Sequence, residues 1–208
     1  IYGTSNNPEL NEAFVTDLEM RIARVIREDV SYLELFTSKE AYVNGPLVHY
    51  WKYQTEVPAG VRMTPIPVPL DQLPDLDYSD AETWHAVQLG EEHAGILTSP
   101  AFLLRFQTGR ARADRFFNAF MCQPFQPPSG GLDSDDEEDV FIQDLQRRPG
   151  CDYCHALLEP SAAYWGRWTE QGGGYLSSEE FPELSEECLE CATSGVLCSD
   201  VCNRYYVT

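Results

Sequence analysis

Apolar residues recur every three or four positions after Asn7-Pro8-Glu9, at Leu10, Phe14, Leu18, Ile22, Val25 and Ile26, which is the period of one helical face. An asparagine N-cap with proline at the first helical position starts such a helix, so a long amphipathic helix is predicted from Pro8. Ser31 with Glu34 three residues on has capping-box spacing, which predicts a second helical segment running into Leu35 and Phe36. In YVNGPLVHYWKY, Asn44 is placed to cap a short helix that turns Leu47, Val48 and Trp51 inward. The prolines at 58, 65, 67, 69 and 74 then remove amide donors and block helix, so residues 57–80 read as an extended connection over the surface.

A second helical group is expected from about Ala81. Ser99-Pro100 marks a fresh helix start within it, and ARADRFFNAFMC forms a further amphipathic helix that ends at Cys122 and is stopped by Pro124. Residues 123–138 are a Pro/Gly stretch running into like charge, a linker by composition. They lack the glycine and terminal glutamate of an EF-hand loop. VFIQDLQRR is read as a short helix leading to Cys151, and the glycines 172–174 as a flexible break. No period-2 pattern of any length and no internal repeat stand out. The expected fold is mainly α: an irregular helical domain with long Pro-rich loops and a cysteine-rich C-terminal segment. It divides into helical parts at 1–56 and 81–122, the connection at 57–80, the linker at 123–138 and a cysteine-bearing part at 139–208.

Charge narrows the choice of partner. Across 208 residues, 34 acidic side chains oppose 14 basic ones, of which only Lys39 and Lys52 are lysines, for a formal charge of −20. Such a chain repels nucleic-acid phosphates and anionic membrane surfaces. Its acidity serves solubility, or steers a cationic partner. No apolar run approaches the length of a membrane span. The sequence opens on Ile1 without a hydrophobic signal region and reads as a piece of a longer precursor.

Six of the seven cysteines lie in the last 58 residues, a clustering that points to metal, haem or disulfide chemistry in an oxidising compartment, periplasmic or extracellular. Cys151-x-x-Cys154-His155 has the spacing of covalent haem attachment: two thiols to add across vinyl groups and an imidazole to ligate iron, all on one side of a helical turn. The alternative is zinc, with Cys188-x-x-Cys191 supplying a second thiolate pair at a longer separation than is usual. Disulfides are the third option. Cys188, Cys191, Cys198 and Cys202 can form two local bridges of undetermined connectivity, which leaves Cys122 as the odd thiol, buried or paired elsewhere.

After His155 the chain has no Met, His or Lys, so a second axial ligand to haem iron would come from upstream. Met121, His93 and His49 lead the candidates, followed by Met20, Met63 and His85, although each is also an ordinary core or surface residue. A vacant second position would instead suit a peroxidase-like enzyme, with one of the upstream histidines as acid-base group. No paired carboxylates, Ser/His/Asp arrangement or glycine-rich phosphate loop is evident.

Taken in order, LELFTSKEAYVNGPLVHYW, HAGILTSPAFLLRF, RFFNAFMCQPFQPP and CDYCHALLEP form a pattern that resembles the domains of unknown function joined in large secreted cytochrome-like proteins of planctomycetes and myxobacteria. The resemblance spans about residues 30–160. It implies haem c on Cys151, Cys154 and His155, with Leu158 and Pro160 in the loop that follows and Cys122 as the cysteine before the proline-rich linker. It also implies a larger parent protein. The chain departs from that pattern in LLEPSAAYWGRW and in the cysteines from 188 onward. The resulting expectation is a haem c electron-transfer module working with a redox partner or with other segments of its parent. The competing readings are a haem peroxidase and a surface interaction domain stapled by disulfides or zinc.

Overall fold

A computed structural model describes residues 7–53, 70–126, 145–170 and 172–175. The chain divides into two compact units. Within the described residues the first takes 7–53, 70–105 and 172–175, and the second takes 106–126 and 145–170. The fold is mainly helical, with one two-stranded sheet among the described residues.

The first unit is organised by helix α1, Pro8–Arg27, whose start is the one expected: the Asn7 side chain accepts from Leu10 N at 3.1 Å. Its buried stripe differs from the apolar reading. Leu10, Ala13, Phe14 and Val25 face inward as their spacing requires, but Asp17 and Arg21 are buried with them, and Ile26 is 73% exposed. The two charges pair through one edge of the guanidinium, while Arg21 Nη1 and Nη2 are buried without a hydrogen-bond partner among the described residues. Arg21 Nε donates to the Asp17 carboxylate at 2.9 and 3.0 Å, and the same carboxylate accepts Tyr42 N at 2.8 Å. A buried ion pair persists only with such supplementary bonds, and this one ties α1 to the sheet.

Helix α2 spans only Glu34–Thr37 with Leu33 as its cap residue, so the expected start at Ser31 moves by two positions. Ser31 instead accepts Leu33 N and Glu34 N in a turn. Strand β1, Glu40–Val43, pairs antiparallel with β2, His85–Gln88, setting Ala41 opposite Val87 and Val43 opposite His85. The expected helical group from Ala81 therefore begins later, after a strand and a turn of 3-10 helix at Gly95–Thr98. Gly95 has φ +52°, and a side chain there would strike the Leu35 carbonyl, so glycine is required by both conformation and space.

Helix α3, Gly45–Tyr53, is capped as predicted by Asn44, whose Oδ1 accepts Leu47 N at 3.2 Å, and it buries Leu47, Val48 and Trp51. Helix α4, Pro100–Arg105, follows Ser99, whose Oγ accepts Phe102 N at 3.4 Å. A continuous core of Leu10, Phe14, Val43, Leu47, Tyr50 and Trp51 joins these elements, with the Phe14 and Tyr50 rings edge to face at 4.9 Å. Glycines 172–174 are buried, and Gly173 lies against the Tyr50 hydroxyl. The triplet read as a flexible break is thus a buried segment, and a Cβ at Gly173 would press on the Tyr50 hydroxyl at 3.0 Å.

The second unit contains α5, Gly109–Phe120, and α6, Asp152–Ala162. Thr108 caps α5 by accepting Ala111 N at 3.1 Å, and the helix ends at Met121, before Cys122 with φ +52°. The described part of the segment before Cys151, residues 145–150, consists of turns rather than helix. Among the described residues of this unit the largest fully buried side chain is an arginine of α5. Arg112 is fully buried and donates from Nε to Phe106 O (2.8 Å), from Nη1 to Trp168 O (3.1 Å) and from Nη2 to Thr169 O (2.8 Å). Ala113, Ala162, Trp165 and Trp168 are the buried apolar residues around it, while Tyr164 is 87% exposed. Among the described residues no helix is long and apolar enough to cross a membrane.

Candidate functional site

The C-x-x-C-H motif forms the first turn of α6. Cys151 is the N-cap, and its carbonyl accepts Cys154 N at 3.2 Å and His155 N at 3.0 Å. Positions three and four apart in a helix share a face, so the two thiols and the imidazole project from one side of one turn. Both thiols are free and partly buried, and Cys154 Sγ lies 4.0 Å from the Gln126 carbonyl. The His155 ring is pinned from the next turn. Its Nδ1 lies 2.5 Å from Glu159 Oε1, the atom that also accepts Arg110 Nε at 2.7 Å.

The remaining ring nitrogen, Nε2, makes no hydrogen bond among the described residues. Two free thiols and an imidazole with Nδ1 engaged and Nε2 available form the donor set that covalent haem attachment requires. The residues fit that group. Tyr153 and Leu157, at 66% and 47% exposure, add an apolar strip beside the motif. Leu158 and Pro160 belong to α6 itself rather than to a following loop. Pro160 falls in its last turn, where the loss of one amide bond ends the helix soon afterwards.

The other sequence candidates are dispersed. Met121 is in the second unit with the motif, half exposed at the end of α5. His49, His85, His93 and Met20 belong to the first. There the His49 ring lies between Tyr53 and Tyr78 with Nε2 2.9 Å from Leu76 O. His93 is 4% exposed, its Nδ1 3.2 Å from Thr98 Oγ1. Burial, reinforced by the nearby charges of Arg21 and Lys39, pushes the His93 imidazole down to about 3, so it stays neutral. His85 is exposed at the start of β2. Met63, Cys188, Cys191, Cys198 and Cys202 lie outside the described residues, and with them the second half of any two-pair zinc site and the local disulfides. Within the described residues, no group of three or more His, Cys, Asp or Glu converges as metal ligands. Cys122 is exposed with a free thiol.

A small recess in the first unit is lined by Arg21, Arg24, Ser38, Glu34 and Glu40 and has about 10 Å³ of space. That is room for one water molecule, and the two carboxylates in its wall disfavour an anion.

Sequence reasoning missed Glu159 and Arg110. The signal for the first was present, since His155 and Glu159 stand four apart, the spacing that lets a carboxylate reach an imidazole on the same helix. Nothing in sequence order linked Arg110 to either. No protein-family model, curated protein or solved structure matches the chain.

Proposed function

We propose that the chain is a c-type haem-binding electron-transfer module of a larger secreted or periplasmic protein. The observation that carries this reading is the first turn of α6, where Cys151, Cys154 and His155 share a face and the imidazole is held by Nδ1. Cys151 and Cys154 would hold the porphyrin through their sulfurs, and His155 Nε2 would ligate its iron. Haem c, when bound, supplies one-electron exchange at iron. The protein's part is to fix the imidazole, shield one side of the site and set the surrounding charge. The strongly acidic surface, −20 overall, suits a redox partner with a basic face, because complementary charge steers encounter and fixes orientation.

The test is production in a host that attaches haem c, followed by a reduced pyridine absorption spectrum of the wild type and of Cys154→Ala. A covalent haem signal in the wild type, altered to a single-thioether form or lost in the variant, is the expected result. A colourless wild type under those conditions would eliminate the redox reading and leave Cys151 and Cys154 as structural thiols.

A further inference from the structure

We infer that Glu159, anchored by Arg110, is a positioning residue that fixes His155 as its Nδ1–H tautomer and leaves the Nε2 lone pair as the outward ligand. Three observations carry this. Glu159 is 4% exposed, yet the buried carboxylate directs a single oxygen, Oε1, at both Arg110 Nε and His155 Nδ1. The other oxygen, Oε2, has no partner among the described residues. And the Arg110 bond comes from α5, a different helix, so the carboxylate is held from outside the helix that carries its histidine.

The tautomer follows from donor and acceptor roles. Arg110 Nε can only donate, so Oε1 acts as an acceptor. The group facing it at 2.5 Å must then be an N–H, which puts the proton of a neutral His155 on Nδ1. An imidazole hydrogen-bonded through one nitrogen to a carboxylate has its ring orientation fixed and its other nitrogen made a stronger ligand. Leaving Oε2 without a partner in the protein interior carries a desolvation cost. The unit accepts that cost where the carboxylate holds the imidazole.

The consequence for iron rests on the haem reading, but the tautomer does not, and the two are tested separately. In the full haem-free chain, labelled with ¹⁵N, long-range proton–nitrogen spectra at about pH 8.5, two units above the ordinary histidine value, report which ring nitrogen is protonated. A His155→Gln spectrum assigns the signal. Wild type is expected to show Nδ1–H, Glu159→Ala to switch to Nε2–H, and Glu159→Gln to keep Nδ1–H, because its amide oxygen can face the same two donors. Nε2–H in the wild type overturns the inference, as does an unswitched Glu159→Ala in which the His49, His85 and His93 signals have not moved. If Glu159→Ala does not fold, the wild type and Glu159→Gln decide it, and Nε2–H in either is an overturning result. In haem-loaded protein Glu159→Gln is expected to raise the midpoint potential, since a negative acceptor on the axial imidazole favours ferric iron. An unchanged potential removes the electronic role. Failure of wild type to take haem counts against the proposed function and leaves the tautomer result standing.

Discussion

The two units are built on different physical terms. The first closes over a continuous apolar core in which Leu10, Val48 and Trp51 are almost completely sequestered, and a buried ion pair, Asp17 with Arg21, serves to register α1 on the sheet. The described part of the second has two alanines and two tryptophans as its buried apolar residues, and is drawn together by charged side chains reaching backbone and one another: Arg112 to three carbonyls, and Glu159 to Arg110 and His155. A small region with little apolar burial depends on staples for its stability. The second unit is also where the two adjacent free thiols lie. The lesson, for the described residues, is that the apolar core lies in one part of the chain and the two thiols and His155 in a part held by directional bonds.

That contrast can be broken by substitution. Trp51→Ala empties a large fully buried site in the first unit and is expected to cost about 3–5 kcal/mol, read from urea denaturation. Loss well below this range would mean that the first core is not the stable partner. Arg112→Met removes the charge-assisted bonds to the Phe106, Trp168 and Thr169 carbonyls, for an expected loss of about 3 kcal/mol. The loss should be concentrated in the second unit and seen as early hydrogen exchange of α5 and α6, with amides of α1 and α3 unaffected. Uniform loosening across both units would erase the distinction.

Acid sharpens it further. Above pH 6.5 His93 is neutral in both folded and unfolded chains. As pH falls toward about 3, the unfolded chain takes up a proton that the folded one refuses. Unfolding free energy should therefore fall by up to roughly 1.4 kcal/mol per pH unit across that window from this residue alone. A shallower slope in His93→Asn than in wild type is the expected difference, and identical slopes would contradict the burial argument. The smallest effect belongs to the helix caps. Asn7→Ala and Thr108→Ala should each cost about 1 kcal/mol, the first registered by amides of α1 and the second by those of α5.

Much of the helical framework was legible in the sequence because its signals are local. Asn7-Pro8, Asn44 and Ser99-Pro100 each cap or start a helix within four residues of the side chains involved. The strands were not legible. Four residues each, they alternate too briefly for a period to emerge, and their pairing is a contact across more than forty positions. The burial of Asp17 and Arg21 was not legible either, because nothing in a one-dimensional pattern reveals that Tyr42 would supply a third bond. At the site, the cysteines and histidine are contiguous and were read directly, whereas the Arg110 bond to Glu159 exists only once α5 packs on α6. Local spacing carries the cysteines, the histidine and Glu159, and tertiary packing adds the Arg110 that holds that carboxylate.

The buried glycines at 172–174 have a consequence for how the chain comes off the ribosome. The first unit is left at residue 105 and re-entered at 172, so the backbone that lies against Tyr50 is synthesised only after the whole of α5 and α6. A nascent chain stalled or truncated before Gly172 would hold the long helix and the sheet but lack the backbone that lies against Tyr50. The first unit is thus completed only after the turn that bears Cys151, Cys154 and His155 has been made.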